Sequence, residues 1–316
     1  MKEGTKMDNT IDYTARKPVW SGLGRDISGC RSIDEALAVS GLDFQVRQAN
    51  VCTDDGNYIP LRGFKANVKD DGTPLGIVTT KYKVVQNADA FGFLDSLISD
   101  GMKLERAGGL QDGRKVFVLA RMPEKYIISG ESISPYIVFI NSHDGTGSIK
   151  VLMTPIRMIC LNMLNLALEN ATRSWSAIHC GDVDNKLEDA RNTLLYAERY
   201  MNALGSEIED MKHTILSEKD VFRMVDELLP TEDDMSEIQK KNIKKQRDDI
   251  LSRFFHAPDL ADMKCTAYRF INAVSDFATH SEPIRRRENY NETLFNRTVE
   301  GSPIVDKAYG LLKAAA

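Results

Sequence analysis

The apolar spacing of this chain changes period near residue 183, and that change limits the folds open to it. Leu187, Ala190, Leu194, Ala197, Met201, Leu204, Ile208, Met211 and Ile215 follow one another in steps of three and four. Such steps keep one side of an α-helix apolar, so the spacing predicts a helix of about 35 residues, roughly 50 Å long, capped at Asp182. The seam carries no Asn or Lys to fix a coiled-coil register, so it is expected to pack inside its own subunit. Shorter helices are predicted over 218–229, 234–255, 262–279 and 303–313, two of them stopped near Pro230 and Pro258.

Upstream of residue 181 the pattern is different. Short β-branched runs alternate with turn residues. Thr53-Asp54-Asp55-Gly56 separates 44–51 from 57–61, and Lys69-Asp70-Asp71-Gly72-Thr73-Pro74 separates 63–68 from 75–85. Asp-Gly tolerates positive φ and so reads as a hairpin turn. Further strands are predicted over 103–110, 114–122, 135–141, 148–153 and 174–179. A helix capped by Asn87 carries Phe91, Leu94, Leu97 and Ile98 and ends at Gly101. Residues 156–170 read as helical. The expected class is α+β: an antiparallel sheet layer with packed helices, then a mostly helical C-terminal region with one long helix. The expected division is an N-terminal arm (1–40, helical only over 32–39), a β-rich core (41–181) and the helical region (182–316).

Composition narrows the function classes. No apolar run approaches the 18 or so residues of a membrane span, and the first 17 residues contain no apolar signal region. Five scattered cysteines form no CxxC pair, which favours reduced thiols in a cytoplasm. Net charge is −5, against a histone-like binder. The charge is uneven: residues 61–180 hold 14 Lys and Arg against 11 Asp and Glu, while 181–316 hold 20 against 26. The middle is the part suited to a polyanion.

Residues 138–168, VFINSHDGTGSIKVLMTPIRMICLNMLNLAL, hold the densest set of chemistry-bearing groups. A polar turn from Asn141 to Gly147 presents amides and the Ser142 and Thr146 hydroxyls, which suits a phosphate and equally suits a tight hairpin. No Gly-Lys-Ser/Thr ends it, so it is not a P-loop. Arg157 in an apolar stretch must face a ligand or a structural ion pair. His143, Asp144 and His179 would make an enzyme only if they converged in one pocket. His143, His179, Cys160, Cys180 and His280 have no spacing of a zinc site, so neither metal nor cofactor is expected. Lys81, Lys83, Arg106, Arg114, Lys115 and Arg121 lie on or beside predicted strands with Tyr82, Phe91 and Phe117 nearby. A basic, aromatic sheet is a means of holding single strands, and is also what a solvated sheet face over an aromatic core looks like. Arg285, Arg286 and Arg287 form a basic triplet, and Lys240 to Arg247 a basic helical stripe.

Five ordered motifs carry a resemblance: KYKVVQNADAFGFLD (81–95), ERAGGLQDGRKVFVLARMP (105–123), INSHDGTGSIKVLMTPIRMICLNML (140–164), AIHCGDVDNKLEDA (177–190) and TAYRFINAVSDFATH (266–280). From about residue 40 onward the chain resembles the phage/plasmid-like family of unknown function (DUF932-like). That resemblance picks out Tyr82, Gln86, Asn87, Gly109, Gly113, Asn141, His143, Asp144, Gly145, Pro155, Arg157, Cys160, Asn162 and His179, then Asn272, His280 and Arg297. Cys180-Gly181 stands where the family often has Thr-Gly, which weakens any hydroxyl role there. It implies a bacteriophage or mobile-element setting and no chemistry.

Paired strands followed by a helix also look, more remotely, like the single-strand annealing recombinases, an analogy of architecture. The expectation is therefore a non-enzymatic protein of the bacterial host cytoplasm that binds single-stranded DNA or RNA as a homo-oligomer and serves recombination. Lys81, Lys83, Arg114, Asn141, His143, Arg157, Arg285 and Arg286 would contact the backbone, and Tyr82 a base. The alternative is a protein-binding anti-defence or host-interaction factor acting through the helical region.

Overall fold

The computed structural model describes residues 19–123, 125–128, 130–157, 162–166, 168, 171–180, 195–281, 290, 293, 295–297 and 301–315. Its strands are β1 Arg25–Asp26, β2 Val46–Cys52, β3 Pro60–Lys69, β4 Pro74–Thr79, β5 Lys103–Leu110, β6 Lys115–Arg121, β7 Tyr126–Ile128, β8 Glu131–Ser142, β9 Ile149–Arg157, β10 Asn162–Met163 and β11 Ser174–Ala177. Eight of them form one antiparallel sheet in the order β1-β5-β6-β8-β9, with β10 and β11 both on β9 and β7 on β8. The other three form a separate sheet in the order β2-β3-β4.

Both faces of the large sheet are covered. Along β6, Val116, Val118 and Ala120 point to one side, where they pack with Ile137, Phe139, Val151 and the helices α1 Ile33–Ser40, α2 Asn87–Phe91 and α3 Leu94–Ser99. Phe117 and Leu119 point to the other, with Tyr136, Val138, Ile140, Leu152, Trp20, Leu23 and Phe295. A strand buried on both faces reads as continuous apolar sequence. That is why β8 and β9 stand out in the chain.

The C-terminal helices are α4 Leu195–His213, α5 Glu218–Leu228, α6 Glu237–His256, α7 Ala267–His280 and α8 Pro303–Ala315. Ser217 and Ser236 each close a capping box at the start of α5 and α6. Ala197, Met201, Leu204, Ile208 and Met211 are buried in one core with residues of α5 to α8 and with Ile128, Ile133 and Met153 of the sheet. The seam therefore packs within the subunit over the described residues. Positions 182–194 lie outside them, as does the cap expected at Asp182. Ile215, last of the seam, is exposed and bridges to Thr266 past the helix end. Among the described residues, no helix is long and apolar enough to cross a membrane.

The fold class is the expected one, and several local expectations need correction. Residues 19–40 are not a detached arm: Trp20, Leu23, Ile27, Ile33 and Leu37 are core, and Arg25–Asp26 pair with β5. The helix over 32–39 is present, with Ser32 as its cap. The run 75–85 leaves the strand after Thr79. Asn87 is not a cap. It is the first residue of α2, and its amide donates to Leu42 O at 2.8 Å. The predicted helix over 156–170 is not there where the structure is described. β9 runs on to Arg157 because β8 supplies partners that far, Ile133 opposite Arg157, and Asn162–Met163 pair back onto it.

Candidate functional site

The polar residues of 141–147 lie at the end of β8, where the small sheet meets the large one. His143 N–H continues the ladder by donating to Arg114 O at 2.7 Å. Asn67 of β3 donates to His143 O at 2.7 Å, and Tyr82 O–H donates to Ser142 O at 2.5 Å. Gly76 of β4 packs so closely on Asp144 that a Cβ there would sit 2.6 Å from the Asp144 Cα. The small sheet is thus seated on the turn, and its glycine is required by that approach.

Beneath it is a buried polar network. Asn87 Oδ1 accepts from Asn141 Nδ2 at 3.2 Å and lies 2.9 Å from His143 Nε2. Because the Asn87 amide donates to Leu42 O, its oxygen faces the imidazole, and His143 carries its proton on Nε2. Asn141 also donates to Val85 O at 2.9 Å. Tyr82 stacks on His179, centroids 4.7 Å apart and 14° from parallel, and Phe44 meets His143 edge-on at 5.8 Å. Burial, with the nearby His179, lowers the His143 pKa to about 4, so the ring is neutral. Burial raises the Tyr82 phenol well above its ordinary value. Gln86 ties the same segment to β2 through Val46 N and O, at 2.9 and 2.8 Å. Many of the residues singled out by the family resemblance therefore meet here, as one interior joint.

This geometry reassigns four of the expected contacts. Tyr82, Asn141, His143 and Arg157 are all buried. Tyr82 stacks on a histidine, not on a base. The Ser142 and Thr146 hydroxyls donate to Asp144, at 2.8 and 2.7 Å, as does Thr146 N–H, so the turn is closed on itself. Burial raises the Asp144 pKa, but these bonds outweigh it and the net shift is downward. His143, Asp144 and His179 are neighbours, but the His143 ring bonds to Asn87 and both imidazoles are enclosed.

Arg157 is 1% exposed and bridges two carboxylates. Its Nε lies 2.5 Å from Glu131 Oε2 and its guanidinium 2.5 Å from Asp259 Oδ2. Tyr268 O–H donates to the same Glu131 at 2.9 Å. Of the two roles open to this arginine, the structure takes the ion pair, and it ties β8 and β9 to the turn after α6. Among the described residues, no group of three or more His, Cys, Asp or Glu is placed to hold a metal ion.

Lys81, Lys83 and Arg114 are exposed. Lys83 N–H donates to His179 O and Arg114 O accepts from His143, so both sit at the seam between the sheets. Arg106 is held by Leu23 O and Gly24 O, Arg121 by Glu105, and Phe91 and Phe117 are core. Arg285, Arg286 and Arg287 lie outside the described residues.

The exposed aromatics are elsewhere. Ala49 pairs with Ala66, Ala66 with Ile77, and Phe64 with Thr79, so these residues share the outer face of the small sheet, with Arg47 opposite Val68. Phe64 is 49% and Ile77 62% exposed, and Tyr58, in the β2–β3 connection, is 66%. Arg62 lies two residues before Phe64 and Lys81 two residues after Thr79, while Lys65, next to Phe64, is on the opposite face with Val78 and donates to Asn50 Oδ1 at 2.7 Å. Asp54, Asp55, Asp70 and Asp71 are confined to the two turns. The signal missed in the sequence is Phe64, an aromatic in the predicted strand 63–68, two residues after Arg62.

A family model described as a domain of unknown function (DUF932) matches residues 74–299, from β4 through Glu300's neighbour and short of α8. The buried joint, apart from Val46, Asn67 and the other residues before β4, and the Arg157 ion pairs lie inside that span. Tyr58 and Phe64 lie before it. No curated protein and no solved structure matches the chain.

Proposed function

We propose that this chain, which belongs to the family of the domain of unknown function DUF932, binds single-stranded nucleic acid across the outer face of its three-stranded sheet. The observation that supports this is Phe64, half-exposed on a strand whose outer face is flanked by Arg47, Arg62 and Lys81. A base of any identity stacks on an exposed ring, and the cations meet the phosphates on either side. Tyr58 offers a second ring, and Lys83 and Arg114 extend the cationic path to the seam between the sheets. Annealing of complementary strands in a mobile-element setting is the use proposed for such a face.

The test is fluorescence anisotropy with an unstructured oligonucleotide at about 50 and 200 mM salt. Binding is expected to weaken steeply with salt, because each neutralised phosphate releases counterions. Phe64→Ala is expected to cost about 1–3 kcal/mol of binding, the worth of one stacked base, with melting unchanged. No binding at the lower salt sinks the proposal. The second reading, a protein-binding factor, has an observation of its own in exposed Phe222 and Ile238 on α5 and α6. It predicts a partner affinity that Phe222→Ser weakens and Phe64→Ala does not.

A further inference from the structure

A cavity of about 530 Å³ opens among α6, α7 and the start of α8. Its volume is in the range of small-molecule sites, roughly 300–1,000 Å³. One wall is a single face of α6: Asn242, Lys245, Gln246 and Asp249, spaced by three and four residues. Arg297 faces in from the far side, and Phe277 of α7 supplies an aromatic wall.

The charges in this wall are unequally committed. Asp249 accepts from Arg253 Nε at 2.9 Å, and Arg253 pairs also with the buried Asp276, so that acid is already compensated. Asn242, Lys245, Gln246 and Arg297, by contrast, form no hydrogen bond or ion pair with any described residue. Two cations and two amides without a partner among the described residues therefore line one concavity. Its chemistry differs from that of another cavity, about 570 Å³, where Asp100 and Glu198 outnumber Lys125 and stand beside Met102 and Met122.

We infer that the α6–α7–α8 cavity is a site for a nucleoside phosphate. A guanidinium fork and an ammonium group are suited to a phosphate group. Asn and Gln each present a donor and an acceptor, as the edge of a base requires, and Phe277 offers a face for its ring. The ligand is a free nucleotide or the phosphorylated end of a strand. The site stands apart from the small sheet and does not depend on the reading of Phe64.

The experiment is calorimetric titration and thermal shift of the full chain with the four nucleoside 5′-monophosphates, with inorganic phosphate and the nucleosides as component controls. A mononucleotide is expected to saturate and to raise the melting temperature. Lys245→Ala and Arg297→Ala are each expected to weaken it roughly tenfold or more, from loss of a charge-assisted bond. Asn242→Ala with Gln246→Ala is expected to reduce discrimination among bases while phosphate still binds. All four side chains lie at a wall without partners among the described residues, so these variants are expected to keep the wild-type melting temperature. Phe64→Ala leaves this binding unchanged, which separates it from the sheet face. Competition by a 5′-phosphorylated oligonucleotide, but not by its unphosphorylated form, identifies a strand end as ligand; failure of both identifies the free nucleotide. The inference is overturned if no monophosphate saturates at millimolar concentration, if inorganic phosphate binds as tightly as every nucleotide, or if Lys245→Ala/Arg297→Ala binds like wild type.

Discussion

Replacing Arg157 by methionine tests the reassignment of the best sequence candidate for a ligand contact. The change keeps an apolar stem and removes the guanidinium from an almost fully buried position. Asp259 then loses the cation 2.5 Å away, while Glu131 retains Tyr268 at 2.9 Å and Lys212 at 3.7 Å. Breaking a buried pair from one side costs about 3–5 kcal/mol, and the surviving partners of Glu131 favour the lower end. With an unfolding entropy of about 2.1 cal/mol/K per residue over 316 residues, that is a fall in melting temperature of roughly 5–8 °C. Adding Asp259→Asn to Arg157→Met should recover part of the loss, because a neutral amide is cheaper to bury than an unpaired carboxylate. Differential scanning calorimetry beside an oligonucleotide titration reads both quantities. An unchanged melting temperature with weakened binding would refute the structural role and return Arg157 to a ligand-facing one.

Two further perturbations follow from the same burial. Met201→Asp with Ile208→Asp places two charges in the helical core and is expected to abolish the cooperative melting transition; a well-folded monomer by light scattering would show instead that α4 is an intersubunit element. His143 has a folded pKa of about 4 against about 6.5 unfolded, so the unfolded chain binds the extra proton between these values. Its contribution to stability is therefore complete above about pH 6.5 and declines as pH falls toward 4, by roughly 3 kcal/mol in all. Urea unfolding over that range should lose this slope in His143→Gln, whose amide can replace the Nε2–H bond to Asn87, and a slope that persists in the variant would assign it to other groups.

Much of the fold was determined locally and so was legible in the chain. Ser32 caps α1 through Glu35 N–H, Gly72 has the positive φ that the Asp-Gly turn requires, and the steps of three and four from Ala197 to Met211 mark the buried stripe of α4. Each depends on contacts within a few residues, where propensity and periodicity act. What the tertiary structure decided is which side of each strand is covered, and by what. Alternation groups Phe64 with Ala66 and His143 with Asn141, but the same pattern serves a buried and an exposed face. Tyr82 and Asn141 became interior because His179 stacks on the first and Val85 and Asn87 bond to the second, and Arg157 became structural because Asp259, 102 residues away, meets it. Residues 156–157, helical by local pattern, stay in the sheet because β8 offers a ladder at Ile133 and Ser134. The face of the small sheet and the cavity beside α6 are defined by what, among the described residues, does not cover them. No local sequence pattern encodes an absence of neighbours, because the chain segments that could have covered these surfaces are placed by long-range pairing.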